Sequence, residues 1–270
     1  MIMEKYDLIA LDMDGTLCND DKVIPQENLD AIRELQEQGK TVVVATGRPE
    51  SGIMPFIEAL QLEKFGGYVM SYNGCRIYDV KNKKTVFNKL FDRKYISKVL
   101  DIVNKSSITV TSPIDDRIVA GSALNDYSYA EAEIVKLPFH FRDDFLSWDL
   151  EMNKLLLIDR PEVIAEYYPI LRDKFEPELH VFLSEPIFME ITPSGINKGN
   201  GLRELEKITG IRIKNMIAMG DSFNDIEMLE TAGLGVAMAN CKKGVEVYAD
   251  KVTVTNNECG VAKIIREFML

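Results

Sequence analysis

Short, uninterrupted apolar runs recur along the chain, each followed by a polar turn and then by apolar positions at helical spacing. Leu8-Ile9-Ala10-Leu11 and Thr41-Val42-Val43-Val44-Ala45 are two such runs, continuous and aliphatic as strands of a buried parallel sheet are. Between them Pro25 is placed to open a helix, Leu29, Ile32 and Leu35 recur at its spacing, and Gly39 is placed to end it. A further helix runs to about Leu62. Tyr68-Val69-Met70-Ser71-Tyr72 reads as a third strand, Asn73-Gly74 as a turn, and Arg76-Ile77-Tyr78 as its return. This alternation predicts an α/β fold with a Rossmann-like parallel-sheet core.

The texture changes after Lys81-Asn82-Lys83-Lys84, a basic hairpin tip or boundary. The stretch from 83 to 193 holds most of the aromatic residues, among them Phe91, Tyr95, Tyr127, Tyr129, Phe139, Phe141, Trp148, Phe182 and Phe188, which are expected mainly in a core. Phe91-Asp92-Arg93 and Ile158-Asp159-Arg160 each lead into a helical pattern, a weak internal echo. From Pro193 the first pattern resumes. Asn197-Lys198-Gly199 opens a helix closed by Gly210, and Met216-Ile217-Ala218-Met219 runs into Gly220-Asp221-Ser222-Phe223-Asn224-Asp225. Gly235-Val236-Ala237-Met238 is another strand and Val261 to Met269 an amphipathic helix. The predicted organisation is a core in two segments, 1–82 and 194–270, interrupted by an inserted α/β domain over 83–193.

Charge and cysteine content narrow the function classes. A net charge of −11 opposes non-specific nucleic-acid binding, which needs basic surface. A small anionic ligand would instead require a local focus of positive charge. No apolar run approaches the ~20 residues that cross a bilayer, and the start, Met1 to Asp7, lacks the pattern of a signal peptide. Cys18, Cys75, Cys241 and Cys259 are scattered, and with only His140 and His180 no zinc-type spacing arises. A cytoplasmic protein with reduced thiols, no membrane partner, and a monomeric or weakly self-associating state is the expectation.

Asp12-Met13-Asp14-Gly15-Thr16-Leu17 places two carboxylates two residues apart where an apolar strand runs out. Like charges this close repel unless a cation offsets them; alone, the pair reads equally as a solvated polar loop. Ligands of open parallel sheets bind outside the carboxyl ends of the strands, and four polar features stand at such ends or at helix starts. They are Asp12 with Asp14, Thr46 with Gly47 and Arg48, Lys198, and Asp221 with Asn224 and Asp225. On one sheet they would meet. The carboxylates suit Mg²⁺, and Thr46, the Gly47 amide, Asn224 and Lys198 suit phosphoryl oxygens.

In sequence order, DMDGTL, VVVATGRP, NKG and GDSFND resemble the four motifs of the haloacid dehalogenase superfamily, most closely its Cof-type branch of sugar-phosphate phosphatases, which carries an α/β cap inserted after the second motif. The resemblance implies Asp12 as nucleophile and Asp14 as general acid and then base. It implies Mg²⁺ held by Asp12, the Asp14 carbonyl and Asp221, with Asp225 supporting them from behind. Phosphate would be bound by Thr46, amides at Met13 and Gly47, Lys198 and Asn224. The implied substrate is a small phosphorylated metabolite, a sugar phosphate by default. Asp14 separates this chain from the dehalogenases, which lack the second acid. A phosphomutase, and a non-catalytic phospho-accepting regulatory module, are the alternative readings. Arg76, Arg117, His140 and Arg142 are candidates for contacting the rest of the substrate.

Overall fold

The aliphatic runs become the inner strands of a sheet because each is apolar on both faces. The computed structural model describes residues 6–143 and 151–270; Met1–Lys5, and with them most of the leader expectation, lie outside the described residues, as does Trp148. The chain opens with β1 (Leu8–Asp12), β2 (Thr41–Ala45), β3 (Tyr68–Ser71), β4 (Arg76–Asp79) and β5 (Lys84–Asn88). The middle carries β6 (Thr109–Ile114), β7 (Arg117–Ala120), β8 (Phe139–Phe141), β9 (Leu155–Ile158), β10 (Leu179–Glu185) and β11 (Phe188–Pro193). β12 (Met216–Gly220), β13 (Leu234–Ala237) and β14 (Lys251–Val252) complete it. Two compact units result: the described part of Met1–Phe87 with Asn197–Leu270, and Asn88–Ile196.

In the first unit the strand order is β14-β13-β12-β1-β2-β3-β4-β5, parallel from β14 through β3 with β4 antiparallel to β3. β1 is central, and its side chains alternate between two cores. Ile9 and Leu11 pack with Ile32, Leu35, Ile264 and Ile265 of the helices Gln26–Glu37 and Gly260–Phe268. Leu8 and Ala10 pack with Leu202, Leu205, Met228 and Leu229 of the helices Lys198–Thr209 and Ile226–Thr231. Each fully buried aliphatic side chain contributes about 1.5–3 kcal/mol, so the strands that carry the motifs are among the most firmly held of the unit. The helix expected to run to Leu62 is instead broken, because Gln61 adopts a left-handed conformation (φ 52°) between Met54–Ala59 and Leu62–Phe65. β5 ends this sheet beside β4, so residues 84–87 stand with the first unit although the sequence boundary falls at 83.

The second unit is a six-stranded sheet of order β10-β11-β9-β6-β7-β8, antiparallel except for β7 with β8. The two echoed segments both supply helices, Lys94–Val103 and Pro161–Phe175, which bury Val99, Ile164 and Phe175 against Leu155, Leu157 and Met189 of the sheet. Phe91 itself is not in a strand, so the echo is one of helices only. Of the other aromatics, Phe188 is core while Tyr127, Tyr129 and Phe141 are exposed. The sheet also holds a buried charge cluster: Lys154 Nζ lies 3.1 Å from Glu131 Oε1 and 3.4 Å from Glu190 Oε2. Burial pushes the Glu131 carboxyl up against the pull of Lys154, and it opposes charge on Lys154, which its two partners nevertheless hold. Among the described residues no helix is long and apolar enough to cross a membrane.

Candidate active site

Three adjacent parallel strands, β2, β1 and β12, end side by side, and the polar groups of the motifs leave from those ends. Asp12 is the last residue of β1, paired with Ala45 immediately before Thr46. The turn after it is closed by the Leu17 amide donating to the Asp12 carbonyl (3.1 Å) and the Cys18 amide to that of Met13 (2.9 Å), with the Met13 side chain in the core.

Lys198 is the first residue of its helix, whose N-cap Asn197 accepts from the Asn200 amide. This cap seats the ammonium, fully buried, between two carboxylates. It donates to Asp12 Oδ1 at 2.5 Å and to Asp225 Oδ1 at 2.6 Å. Burial works against its charge, but Asp12 and Asp225 outweigh that and raise its pKa above the ordinary lysine range. Asp225 uses its other oxygen, Oδ2, to accept from the amides of Asp221 (3.0 Å) and Ser222 (2.9 Å). A side chain at Gly220 would meet Asp225 at 2.4 Å, so glycine is what lets the loop close on that carboxylate.

Carboxylate oxygens of Asp12, Asp221 and Asp225 all lie within 4.8 Å of one another. Their roles in that group are not equal. Both oxygens of Asp225 are taken by an ammonium and two amides, which makes it an anchor behind the site. Asp12 and Asp221 are the acids left for a cation. Burial, and then the charge of Asp225, pushes the Asp12 carboxyl well up and that of Asp221 to about 6. Thr16 Oγ1 donates to Asp221 Oδ1 at 2.9 Å. Gly15, at φ 85°, brings the turn so close that a Cβ there would stand 2.5 Å from Asp221 Oδ2.

Because the folded Asp221 holds its proton up to about pH 6, against 3.8 ordinarily, its contribution to stability is full below 3.8 and is lost as pH rises through 6. Metal-free protein should therefore lose thermal stability between about pH 4 and 6.5. A divalent cation at these acids would require their ionised forms, so a stabilising increment from added Mg²⁺ should grow over the same interval. Thermal unfolding in EDTA and in Mg²⁺ across that range checks both; an increment that shrank with pH would contradict the assignment.

Asp14 is turned elsewhere. Its Oδ2 accepts from Arg48 Nε at 2.9 Å and its Oδ1 from an Arg48 terminal nitrogen at 2.7 Å and from Lys22 Nζ at 3.0 Å. On the neighbouring strand end, Thr46 is buried, and its Oγ1 accepts from the Arg48 amide at 3.1 Å, which leaves the hydroxyl proton to be donated. Asn73, in a left-handed conformation (φ 55°), donates its amide to the Thr46 carbonyl (3.0 Å) and accepts from Asn224 Nδ2 (3.0 Å). Its side chain also lies against Gly47.

The strand-end residues thus form two hydrogen-bonded groups, Asp12, Lys198, Asp225 and Asp221 in one and Thr46, Asn73 and Asn224 in the other, with Gly47 against Asn73 and Asp14 joined to the second through Arg48. The four substrate-contact candidates are not part of either group. Arg76 pairs with Glu50 (2.9 Å) and Thr85 (3.0 Å), and Arg117 with the adjacent Asp116 (2.9 Å). His140 is exposed on β8, and the Arg142 amide donates to the Ala120 carbonyl. Sequence reasoning gave no role to Thr16, Lys22, Arg48 or Asn73. Thr16 and Arg48 stand inside the quoted motifs, which was the available signal; Asn73 read only as a turn residue.

This arrangement defines a class of enzyme, one that brings clustered acids and a buried lysine to the ends of parallel strands. A family model for haloacid dehalogenase-like hydrolases matches residues 9–265, and the chain belongs to that family. Its four motifs and inserted unit are those of the Cof-type branch, and it is a phosphatase of the haloacid dehalogenase type. The 5-amino-6-(5-phospho-D-ribitylamino)uracil phosphatase YcsE of Bacillus subtilis is 36% identical over 263 residues, covering 97% of this chain and 96% of that protein. YitU of the same organism, described by the same activity, is 28% identical over 281 residues, with 97% of each covered. A haloacid dehalogenase-like hydrolase from Bacteroides thetaiotaomicron superposes with a TM-score of 0.90 at 34% identity, over 97% of this chain and 99% of that one.

Proposed function

We propose that the protein is a Mg²⁺-dependent phosphatase that hydrolyses primary phosphomonoesters of small sugars or sugar alcohols through an aspartyl-phosphate. The observation that carries this reading is the buried ammonium of Lys198 shared by Asp12 and Asp225 beside Asp221. It holds a strand-end carboxylate ready for attack in a place where a phosphoryl group's oxygens need cationic partners. In the first step an Asp12 oxygen bonds to phosphorus as the ester P–O bond breaks, and Asp14 gives its proton to the leaving oxygen. In the second, water attacks the same phosphorus, passes a proton to Asp14, and Asp12 departs as carboxylate. Thr46, Lys198 and Asn224, with amides at Met13 and Gly47, hold the phosphoryl oxygens.

Asp12 and Asp221, with the Asp14 carbonyl, would hold the cation. The fit rests on the chemistry of the donors: two hard carboxylates whose burial, and then the neighbouring charge of Asp225, raises their pKa values, which is the environment a divalent ion relieves. When bound, Mg²⁺ neutralises charge on the acids and on the phosphoryl group. The substrate class is supported by the activities of YcsE and YitU, both of which act on a phosphorylated ribityl chain. The cytoplasm is the natural compartment for such metabolites.

Purified protein with Mg²⁺ should release phosphate from p-nitrophenyl phosphate and, more efficiently, from members of a panel of sugar and ribityl phosphates. EDTA should lower the rate by at least about 10²-fold and Mg²⁺ should restore it. No release from any compound on that panel would overturn the reading.

A further inference from the structure

Both oxygens of Asp14 are held by the Arg48 guanidinium. Oδ1 accepts from both an Arg48 terminal nitrogen and Lys22 Nζ, whereas Oδ2 accepts from Arg48 Nε alone. A carboxylate offers about two lone-pair directions per oxygen, so Oδ1 is filled and Oδ2 keeps one direction open. The guanidinium, which bonds each Asp14 oxygen once, is itself fixed. Its side chain is only 15% exposed, and the Arg48 amide donates to Thr46 Oγ1 on the phosphate-binding strand end. Lys22, at 61% exposed, adds charge but little constraint.

We infer that Arg48 is a positioning residue that clasps Asp14 in a two-bonded fork and so fixes the orientation of the carboxyl that exchanges the proton. The inference rests on the reading of Asp14 as general acid and base. The Asp14 carboxyl gives its proton to the leaving oxygen as the P–O bond breaks, then receives one from the attacking water as the Asp12–phosphorus bond breaks. The same fork ties Asp14 to the strand that carries Thr46, so proton transfer and phosphate binding keep a fixed spacing. A lysine would not substitute, since its ammonium is a point charge without the planar fork.

The test uses leaving groups that differ in their need for a proton: p-nitrophenyl phosphate, phenyl phosphate and an alkyl phosphate, read as kcat/KM, which reports the first chemical step. Arg48→Met should lower kcat/KM for the alkyl ester about 10–10²-fold while changing that for p-nitrophenyl phosphate less than about threefold. Arg48→Lys, which keeps charge and stem and serves where Arg48→Met does not fold, should show the same selective loss. Asp14→Asn should show it more strongly, and the double variant Asp14→Asn/Arg48→Met should be no worse than Asp14→Asn alone. Equal losses on all three esters, or a double variant much worse than Asp14→Asn, would assign Arg48 to the phosphate or the fold and overturn the inference. If Asp14→Asn itself showed no leaving-group dependence, the acid assignment would fail, and the inference with it.

Discussion

Asp12→Asn should abolish phosphate release, lowering kcat by on the order of 10⁴-fold or more, in a protein that folds as well as the parent. The amide is close in size to the carboxylate but carries no charge to attack phosphorus. Folding should survive because Lys198 keeps its second partner, Asp225, at 2.6 Å. Ionised Asp12 is costly in the metal-free protein, since burial and the charge of Asp225 both work against it. Removing that charge should leave the metal-free melting temperature unchanged or higher. Two measurements separate the nucleophile from a merely structural acid. Acid-quenched wild-type protein should carry acid-stable, hydroxylamine-labile phosphate during turnover, and the Asn variant should carry none. Turnover within tenfold of the parent, or phosphate still trapped on the variant, would remove Asp12 from the nucleophile's place.

The first unit was legible because its strands are buried on both faces, so continuous runs such as Val42-Val43-Val44 have no other stable place. The strand-end rule then brought Asp12, Thr46 and Asp221 together without any knowledge of distances. The second sheet was less legible. Its strands are mostly antiparallel, and one of them, Leu179–Glu185, buries only Leu179 and Val181, with partly buried positions between and after them, a pattern weaker over few residues than an uninterrupted run. What the sequence concealed in the site is side-chain direction. Thr16 reaches Asp221 across 205 residues, and Asn73 meets Asn224 across 151. The second contact depends on a left-handed residue that a strand–turn reading treats only as a bend. Arg48 was quoted with its motif and given no role, because nothing in the spacing shows that its guanidinium turns toward Asp14 and not into solvent.

Lys198→Ala should be the most destabilising single change in the first unit's polar interior, by about 3–5 kcal/mol, because it leaves Asp12 and Asp225 buried without their shared cation. Neither acid can easily find another partner. Asp225 is fixed by the Asp221 and Ser222 amides, and Asp12 ends the central strand. The loss should depend on pH in a way that identifies its origin. In the parent, the pKa of Lys198 is raised above 10.5, so its contribution is full below 10.5 and is lost as pH rises through the higher folded value. The parent should therefore weaken in alkali more steeply than the variant. The variant, in turn, should recover stability on mild acidification as a buried carboxyl takes up a proton. Denaturant unfolding at pH 5, 7.5 and 11.5 reads both trends. The combination with Asp12→Asn completes the argument: with one of the two charges already neutral, losing the lysine should cost less than it does in the parent, a non-additivity that two independent sites would not show.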